Sequence, residues 1–187
     1  MRRFKGSPIP EEVIWRIIET ATWSPSAHHR QPWRFAILGS QAVRLRLVDA
    51  MSADFRRDLE RDGLDPREIE KTIERSRARI LNAPVVILIC LDTALGDKYP
   101  GPERQRAEYL MGVQGVAMAG VECLLAAHAE GLGGVWMCAP LFAQETTQWA
   151  LDLPDNWEPQ GLILLGYPEW IPEPRPRRTL SEVARFL

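Results

Sequence analysis

The spacing of apolar residues along the 187-residue chain predicts helices that alternate with short strands. In residues 10–22, isoleucine, valine and alanine recur at helical spacing and fall on one face. The run VVILICL (85–91) is apolar without interruption and rich in β-branched residues, which is typical of a strand buried on both faces. The run GLILLGY (161–167) is also predicted to be a strand.

Local start and stop signals predict the remaining elements. Asp65, Pro66 and Glu68 combine an N-cap, a first-turn proline and a capping-box acid, so a helix should run from there to about Leu81. The longest helical pattern covers 103–130, and its middle is apolar nearly all round and rich in glycine and alanine. Such a helix lies centrally, and its small residues let a flat or bulky group pack closely against it. The other expected elements are strands at 33–38 and 133–138 and helices at 40–50, 53–63 and 142–151.

The order of these elements indicates one domain, residues 1–187, with helices on both faces of a small sheet. Periodicity alone leaves the α/β and α+β classes both open. The 23 basic and 25 acidic residues give a formal charge of −2, which offers no argument for binding nucleic acid or a membrane surface. The apolar segment 110–129 is interrupted by polar residues, and the N-terminus has no apolar secretion signal. We therefore expect a cytoplasmic protein with no membrane span.

Cysteine and tryptophan residues are expected in the interior. The cysteines are far apart in sequence and lie in apolar contexts, so buried, reduced thiols are predicted, with a reactive Cys138 as the alternative. Four of the seven tryptophans flank predicted elements and are expected to be core residues, with stacking on a flat ring as the alternative. The residues concerned are Cys90, Cys123 and Cys138, and Trp33, Trp136, Trp149 and Trp157.

Candidate chemistry begins in the segment SPSAHHRQPWRF (24–35), which contains two of the three histidines. His28 and His29 are adjacent in a predicted loop, and no Cys, Asp or Glu nearby completes a metal-binding set, so no metal site is predicted. A histidine titrates near neutrality and could act as a general base. The alternative is a pair of loop histidines that hydrogen-bond to the local backbone.

Arginines are concentrated near both ends of the chain. Arg2 and Arg3 lie at one end, and Arg175, Arg177 and Arg178 lie at the other. Guanidinium groups bind phosphate in a bidentate manner, and chain termini often meet in space. A shared anion site is therefore one interpretation, and a solvated basic tail is the other.

Four segments in this order resemble the FMN-dependent nitroreductase family. They are RRFKGSPIPEEVIWRIIETATWSPS, SPSAHHRQPWRF, AHAEGLGGVWM and LILLGYPEWIPEPRPRRTLSEV, and together they extend over essentially the whole chain. The resemblance implies an α+β fold, a three-layer α-β-α sandwich with a small mixed sheet around a long central helix. It also implies a homodimer with FMN at the subunit interface and residues from both chains around it.

The resemblance further implies roles for individual residues. Pro25 and Ser26 would line the flavin ring, with the histidine pair in the loop beside it, where a histidine could bind anionic groups of the substrate or donate a proton. Arg2 would reach the pyrimidine edge of the ring, where a cation stabilises the reduced flavin. Backbone groups from Cys138 to Leu141 would lie near the flavin N5 atom, although Pro140 has no N–H to donate. The implied cofactor residues are Arg2, Arg3, Pro25, Ser26, Cys138, Ala139, Leu141, Arg175 and Arg177, and the implied catalytic residues are His28 and His29.

The family carries an Arg-x-Ser stretch that binds phosphate before the matched opening. This sequence begins after that position, so either its start is misassigned or the tail arginines bind the phosphate alone.

A narrower resemblance is to the C-terminal reductase domain of the bifunctional coenzyme F-420:L-glutamate ligase. It rests on the histidine pair and on DLERDGLDPREIE, KYPGPERQRAE, GLGGVW and LDLPDNWEPQG. In that domain FMN is thought to reduce a double bond in a dehydro precursor of the deazaflavin, which implies a deazaflavin precursor as the small-molecule acceptor. Two alternatives stay open: a broad NAD(P)H-dependent nitro or quinone reductase, and a non-catalytic flavin- or deazaflavin-binding protein.

Overall fold

The computed structural model describes residues 3–187, so Arg2 and its predicted contact with the flavin lie outside the described residues. Six helices and four strands are found in that part of the chain. In order they are α1 (Glu11–Ala21), β1 (Trp33–Ile37), α2 (Gln41–Arg61), α3 (Pro66–Leu81), β2 (Val85–Asp92), α4 (Pro102–Ala129), β3 (Gly133–Met137), α5 (Gln144–Leu151), β4 (Trp157–Gly166) and α6 (Leu180–Val183). Short 3₁₀ turns occupy Ala27–His29, Thr93–Leu95 and Ala139–Phe142.

The four strands form one sheet in the order β1-β2-β4-β3, and each neighbouring pair is antiparallel. The prediction of a mixed sheet is therefore wrong. β2 and β3 do run in the same direction, because α4 returns the chain to the same end of the sheet. They are not neighbours, however, since β4 lies between them and runs opposite to both. The α+β class is confirmed.

Helices cover both faces of this sheet, which confirms the three-layer arrangement. All eight residues of β2 are buried, as its unbroken apolar run predicts. Its odd-numbered residues, such as Ile87, pack in one core with α1 and α4. Its even-numbered residues, such as Leu88, pack in a second core with α2 and α3. The alternation follows from the two-residue period of a strand.

The small residues of α4 allow one indole to approach its backbone closely. A Cβ added at Gly120 would lie 2.1 Å from Cζ3 of Trp136, and one added at Gly161 of β4 would lie 2.6 Å from the same side chain. Trp136 is thus the flat group that the composition of this helix predicts. Of the helices in residues 3–187, α4 is the one long and apolar enough, at a mean hydropathy of 1.6, to span a membrane by composition alone. Its buried residues pack against α1 and the sheet, as those of a central core helix do.

Several local predictions need correction. The two helices predicted at 40–50 and 53–63 form one helix, α2, because no glycine or proline interrupts that stretch. Cys138 is exposed, because it follows the edge strand β3 where the chain leaves the sheet. Trp149 is 77% exposed, because α5 turns Thr147 and Ala150 inward instead. Trp33 is buried as expected.

One buried cation connects the helical layer to the sheet. Arg44 on α2 is 8% exposed and donates to three backbone carbonyls, at 2.8 Å to Leu38, 2.5 Å to Ala83 and 3.0 Å to Pro84. These carbonyls lie at the end of β1 and just before β2. Because each belongs to a chain segment leaving or entering the sheet, Arg44 fixes how α2 sits over these two strands.

Candidate functional site

The histidine loop, residues 24–31, has a strained backbone. His28, His29 and Gln31 have φ angles of 52°, 53° and 50°, in the left-handed region that non-glycine residues seldom adopt. Ser26 holds this conformation, since its Oγ accepts from the Gln31 amide at 3.0 Å and its carbonyl accepts from the His29 amide at 3.0 Å. Both imidazoles are exposed, and Nε2 of His29 lies 2.9 Å from Nε2 of Gln31. The fold therefore presents the pair outward.

Arg30 anchors the histidine loop to the loop after β2 and to α4. Its guanidinium donates to the Leu95 carbonyl at 2.7 Å and forms an ion pair with Asp97, which lowers the pKa of that carboxyl. Its Nε lies 3.8 Å from a carboxylate oxygen of Glu108. Glu108 is 6% exposed, and the same oxygen accepts a hydrogen bond from the Asp97 amide at 3.0 Å. These contacts converge on a cavity of about 110 Å³ beside Ala27. The loop is thus held by a charged cluster that the sequence analysis did not single out.

The tail arginines and Arg3 meet in one groove at the other edge of the sheet. The start of the described chain runs beside the end of β4, with the Lys5 amide donating to the Tyr167 carbonyl at 2.8 Å. This pairing brings Arg3 next to the tail, and Arg3, Arg175 and Arg177 line a surface groove of about 570 Å³. Arg178 is exposed and does not line it. Three guanidinium groups in one groove suit a phosphate dianion.

A second groove, which we call the edge groove, continues along β3. It is lined by Arg79 and by residues 135–139, has a volume of about 250 Å³, and shares Val135 with the arginine groove. Arg79, on α3, was missed in the sequence analysis, because an arginine on a charged helix looks the same as a solvated one. The neighbouring turn uses some of its own amides, since Leu141 donates to the Cys138 carbonyl at 3.0 Å. Leu141 is therefore not a free amide donor, whereas the amides of Cys138 and Ala139 donate to no backbone carbonyl in the described chain.

The histidine loop and the arginine groove lie at opposite edges of the sheet. The loop leads into β1 and the groove borders β3, and these are the two outer strands. Three strand spacings separate β1 from β3, which is about 14 Å across the sheet. Within residues 3–187 of one chain, the structure therefore gathers Arg3, Arg175, Arg177, Cys138 and Ala139 on one side and Pro25, Ser26, His28 and His29 on the other.

The amino-acid sequence of this chain matches the profile of a known protein family. A sequence profile described as the nitroreductase family matches residues 1–167. The chain belongs to the nitroreductase family. It is 30% identical over 176 residues to a 5,6-dimethylbenzimidazole synthase of Rhodospirillum rubrum, an alignment that covers 90% of this chain and 77% of that protein. It is 28% identical over 170 residues to a protein of Methanothermobacter thermautotrophicus provisionally named NADH dehydrogenase/NAD(P)H nitroreductase, covering 90% and 72%.

Solved structures of other nitroreductase-like proteins share the fold. The BluB-like flavoprotein of Clostridium difficile 630 superposes with a TM-score of 0.82 at 19% identity, covering 100% of this chain and 93% of that one. The NADPH:FMN oxidoreductase of Vibrio harveyi complexed with NAD⁺ superposes with a TM-score of 0.74 at 20% identity, covering 100% and 72%. At these identities the likeness establishes the fold.

Nitroreductase-family proteins bind FMN, which confirms the predicted cofactor. The described residues fit that group. The arginine groove offers three cations for a phosphate, and the edge groove continues from it at Val135 toward the amides of Cys138 and Ala139. An elongated ligand with a phosphate at one end and a polar ring at the other matches this order of groups. The narrower resemblance, to the deazaflavin ligase domain, stays a prediction.

Proposed function

We propose that this nitroreductase-family protein is an FMN-dependent oxidoreductase that transfers electrons from NAD(P)H to a flat organic acceptor such as a quinone or nitroaromatic compound. The observation that carries the proposal is the line of groups beside β3. Three arginines lie at one end, a polar strand edge follows, and two amides without backbone acceptors lie at the other end. This order suits a flavin mononucleotide better than a free phosphate, for which the arginines alone would be enough.

The residues of this chain bind and orient the cofactor, and FMN supplies the hydride chemistry. Arg3, Arg175 and Arg177 would hold the phosphate. Arg79 lines the edge groove and would place a cation beside the ring, where positive charge stabilises the reduced flavin. The amides of Cys138 and Ala139 would donate to polar atoms of the ring. Arg2 keeps its predicted place at the pyrimidine edge as an expectation.

The homodimer is part of the same proposal. The outer strands β1 and β3 lie about 14 Å apart, with the histidine loop at the first and the arginine groove at the second, and in this proposal Pro25, Ser26, His28 and His29 reach the flavin of a second copy. Exposed apolar side chains support such a copy. Val121 and Leu125 on α4 are 53% and 57% exposed, and Ile171 in the tail is 80% exposed. Light scattering coupled to gel filtration should give twice the chain mass, and a monomer that retains FMN would contradict the two-chain site.

Arg177→Ala tests the cofactor site directly. Loss of a charge-assisted contact should weaken FMN binding by about 1.5–3 kcal/mol, or roughly 10- to 150-fold in Kd. Arg178→Ala is the matched control, because Arg178 lies in the same tail and does not line the groove. Flavin fluorescence titration of the apoprotein measures both variants. Equal affinities for wild type and Arg177→Ala would show that the phosphate binds elsewhere.

Turnover is tested by following NAD(P)H oxidation in the presence of a quinone or a nitroaromatic acceptor. A bound flavin that no donor reduces would favour the non-catalytic alternative. Appearance of 5,6-dimethylbenzimidazole among the products would point instead to the chemistry for which the Rhodospirillum rubrum relative is named.

A deazaflavin precursor is the second candidate acceptor, and the exposed His28–His29 pair is the feature that favours it. Two adjacent imidazoles on a strained loop could bind the anionic groups of that molecule or donate a proton to it. His29→Ala should then impair reduction of the dehydro precursor and leave FMN bound. Unchanged kinetics with this acceptor would return His29 to a local hydrogen-bonding role. A cytoplasmic location stays a prediction.

A further inference from the structure

Two groups on one face of α4 fix the position of the histidine loop. Gly115 is the first, because a Cβ added there would lie 3.6 Å from Cβ of Ser26 and 3.3 Å from Cγ of Pro32. The loop therefore rests directly against the backbone of the helix. Glu108 is the second, and it lies about two helical turns earlier on the same face.

The Glu108 carboxylate is buried beneath the loop and depends on Arg30 for its charge compensation. Its Oε1 atom accepts from the Asp97 amide and lies 3.8 Å from Nε of Arg30. Within residues 3–187, its other oxygen, Oε2, has no hydrogen-bond donor, and Nε of Arg30 has no acceptor. A buried carboxylate with an unbonded oxygen is costly unless a cation lies close. Arg30 thus cannot turn out to solvent without leaving a buried charge unpaired.

This constraint on Arg30 extends to the two histidines, because they lie between Ser26 and Arg30 in the chain. The left-handed backbone angles of His28 and His29 persist only where the surrounding structure holds them. Ser26 rests on α4 at one end of the pair, and Arg30 is held by the Glu108 carboxylate at the other. The fold therefore fixes both ends of the strained segment on the same helix.

We propose that Glu108 is a positioning residue for acceptor binding, which acts through Arg30 to hold the histidine loop in its binding conformation. The inference rests on the proposed two-chain site, in which this loop lies beside the flavin of a second copy. Without the carboxylate charge, the loop would spend most of its time in relaxed conformations. The apparent affinity for the acceptor would then fall in proportion to the fraction of molecules that keep the binding conformation, while the chemical step would be unchanged.

Glu108→Gln tests this role, because it removes the charge and keeps the size of the side chain. On the FMN-loaded protein, KM for a quinone acceptor should rise about tenfold, while kcat and the Kd for FMN stay within about twofold of wild type. A merely structural role would instead lower the fraction of active protein, so kcat would fall and KM would not change. Glu103→Gln is the matched control, because Glu103 is exposed in the first turn of the same helix, and its KM should change by less than about twofold.

Hydrogen exchange followed by NMR measures the loop itself. The amides of His29 and Gln31, which donate to the carbonyl and the Oγ atom of Ser26, should exchange about tenfold faster in Glu108→Gln. The Leu38 amide, which donates to the Val86 carbonyl at 2.9 Å, should keep its rate.

Arg30→Gln repeats the test from the partly exposed partner and covers the case in which Glu108→Gln does not fold. It should raise KM by a similar factor, and the double variant should resemble either single one, because both remove the same contact. An unchanged KM in the single variants, a loss confined to kcat, or effects that multiply in the double variant would overturn the role of Glu108 and leave the oxidoreductase function standing. Wild-type protein that binds FMN and reduces no acceptor would overturn both.

Discussion

Adding a single methyl group at Gly120 should destabilise the protein, because the indole of Trp136 occupies the space. An alanine Cβ there would lie 2.1 Å from Cζ3 and 2.8 Å from Cε3 of Trp136, against a preferred carbon–carbon separation of about 3.5–4.0 Å. The ring cannot simply move toward the sheet, since it also lies against Gly161, where an added Cβ would be 2.6 Å away. Overpacking of this kind costs about 1–3 kcal/mol, and the severity of the clash places Gly120→Ala at the upper end.

Helix propensity opposes this loss and reduces the net change in the free energy of unfolding. Replacing glycine by alanine within a helix contributes about 1 kcal/mol of stabilisation. The expected loss in the free energy of unfolding is therefore about 2 kcal/mol, or a fall of about 4–8 °C in melting temperature for a chain of this size. Gly115→Ala is the matched control, because it gains the same propensity on the same helix and its Cβ would come only within 3.3 Å of Pro32. Its stability should stay within about 1 kcal/mol of wild type.

Urea unfolding followed by circular dichroism, at fixed protein concentration and saturating FMN, measures these differences. Trp136→Leu supplies the second arm, since the loss caused by Gly120→Ala should largely disappear in that background. A Gly120→Ala protein as stable as wild type would refute the packing argument. An equal loss in both backgrounds would place the clash on a side chain other than Trp136.

Two further predictions follow from buried groups. Arg44→Met should lower the free energy of unfolding by about 2–4 kcal/mol, measured in urea, because three carbonyls lose their donor. Arg46→Met is the control: it removes an exposed ion pair with Asp152 and should change the free energy of unfolding by less than about 1 kcal/mol. Burial raises the pKa of the Cys90 and Cys123 thiols from 9.0 to about 12, so a thiol reagent at pH 8 should modify one cysteine, Cys138, in the native chain and three after unfolding. The contribution of these two thiols to the free energy of unfolding is fully present below pH 9 and is lost as the pH rises toward 12. Between these values the thiols ionise in the unfolded chain and stay protonated in the folded one, so unfolding becomes more favourable.

Elements specified by local sequence were predicted well. Asp65 and Pro66 give the start of α3 because an N-cap and a first-turn proline act on their own backbone, and the Asp65 carboxylate accepts from the Arg67 amide at 2.9 Å. The unbroken apolar run of β2 correctly indicated a strand covered on both faces. The apolar circumference of α4 likewise identified the central helix.

Properties set by distant parts of the chain were not predictable in the same way. The antiparallel sheet depends on β4 inserting between β2 and β3, which no local pattern encodes. Trp149 is exposed because α5 packs through the face that carries Thr147 and Ala150. In the site, Arg79 is separated from Arg175 by 96 positions, and only the fold shows that their grooves adjoin. The family resemblance predicts a phosphate role for the tail arginines, and it carries no information on which amides of the 138–141 stretch are already bonded.

The strained backbone of the histidine loop has a consequence for how this protein would change under laboratory evolution. Three left-handed positions within four residues, at His28, His29 and Gln31, each favour glycine or asparagine on conformational grounds. A library screened for heat resistance alone would accumulate those residues there and discard the imidazoles, since relief of strain stabilises the fold. A library screened for turnover of a substrate that uses the histidines would keep them. The two screens would drive this short segment toward different sequences while leaving the rest of the domain nearly the same.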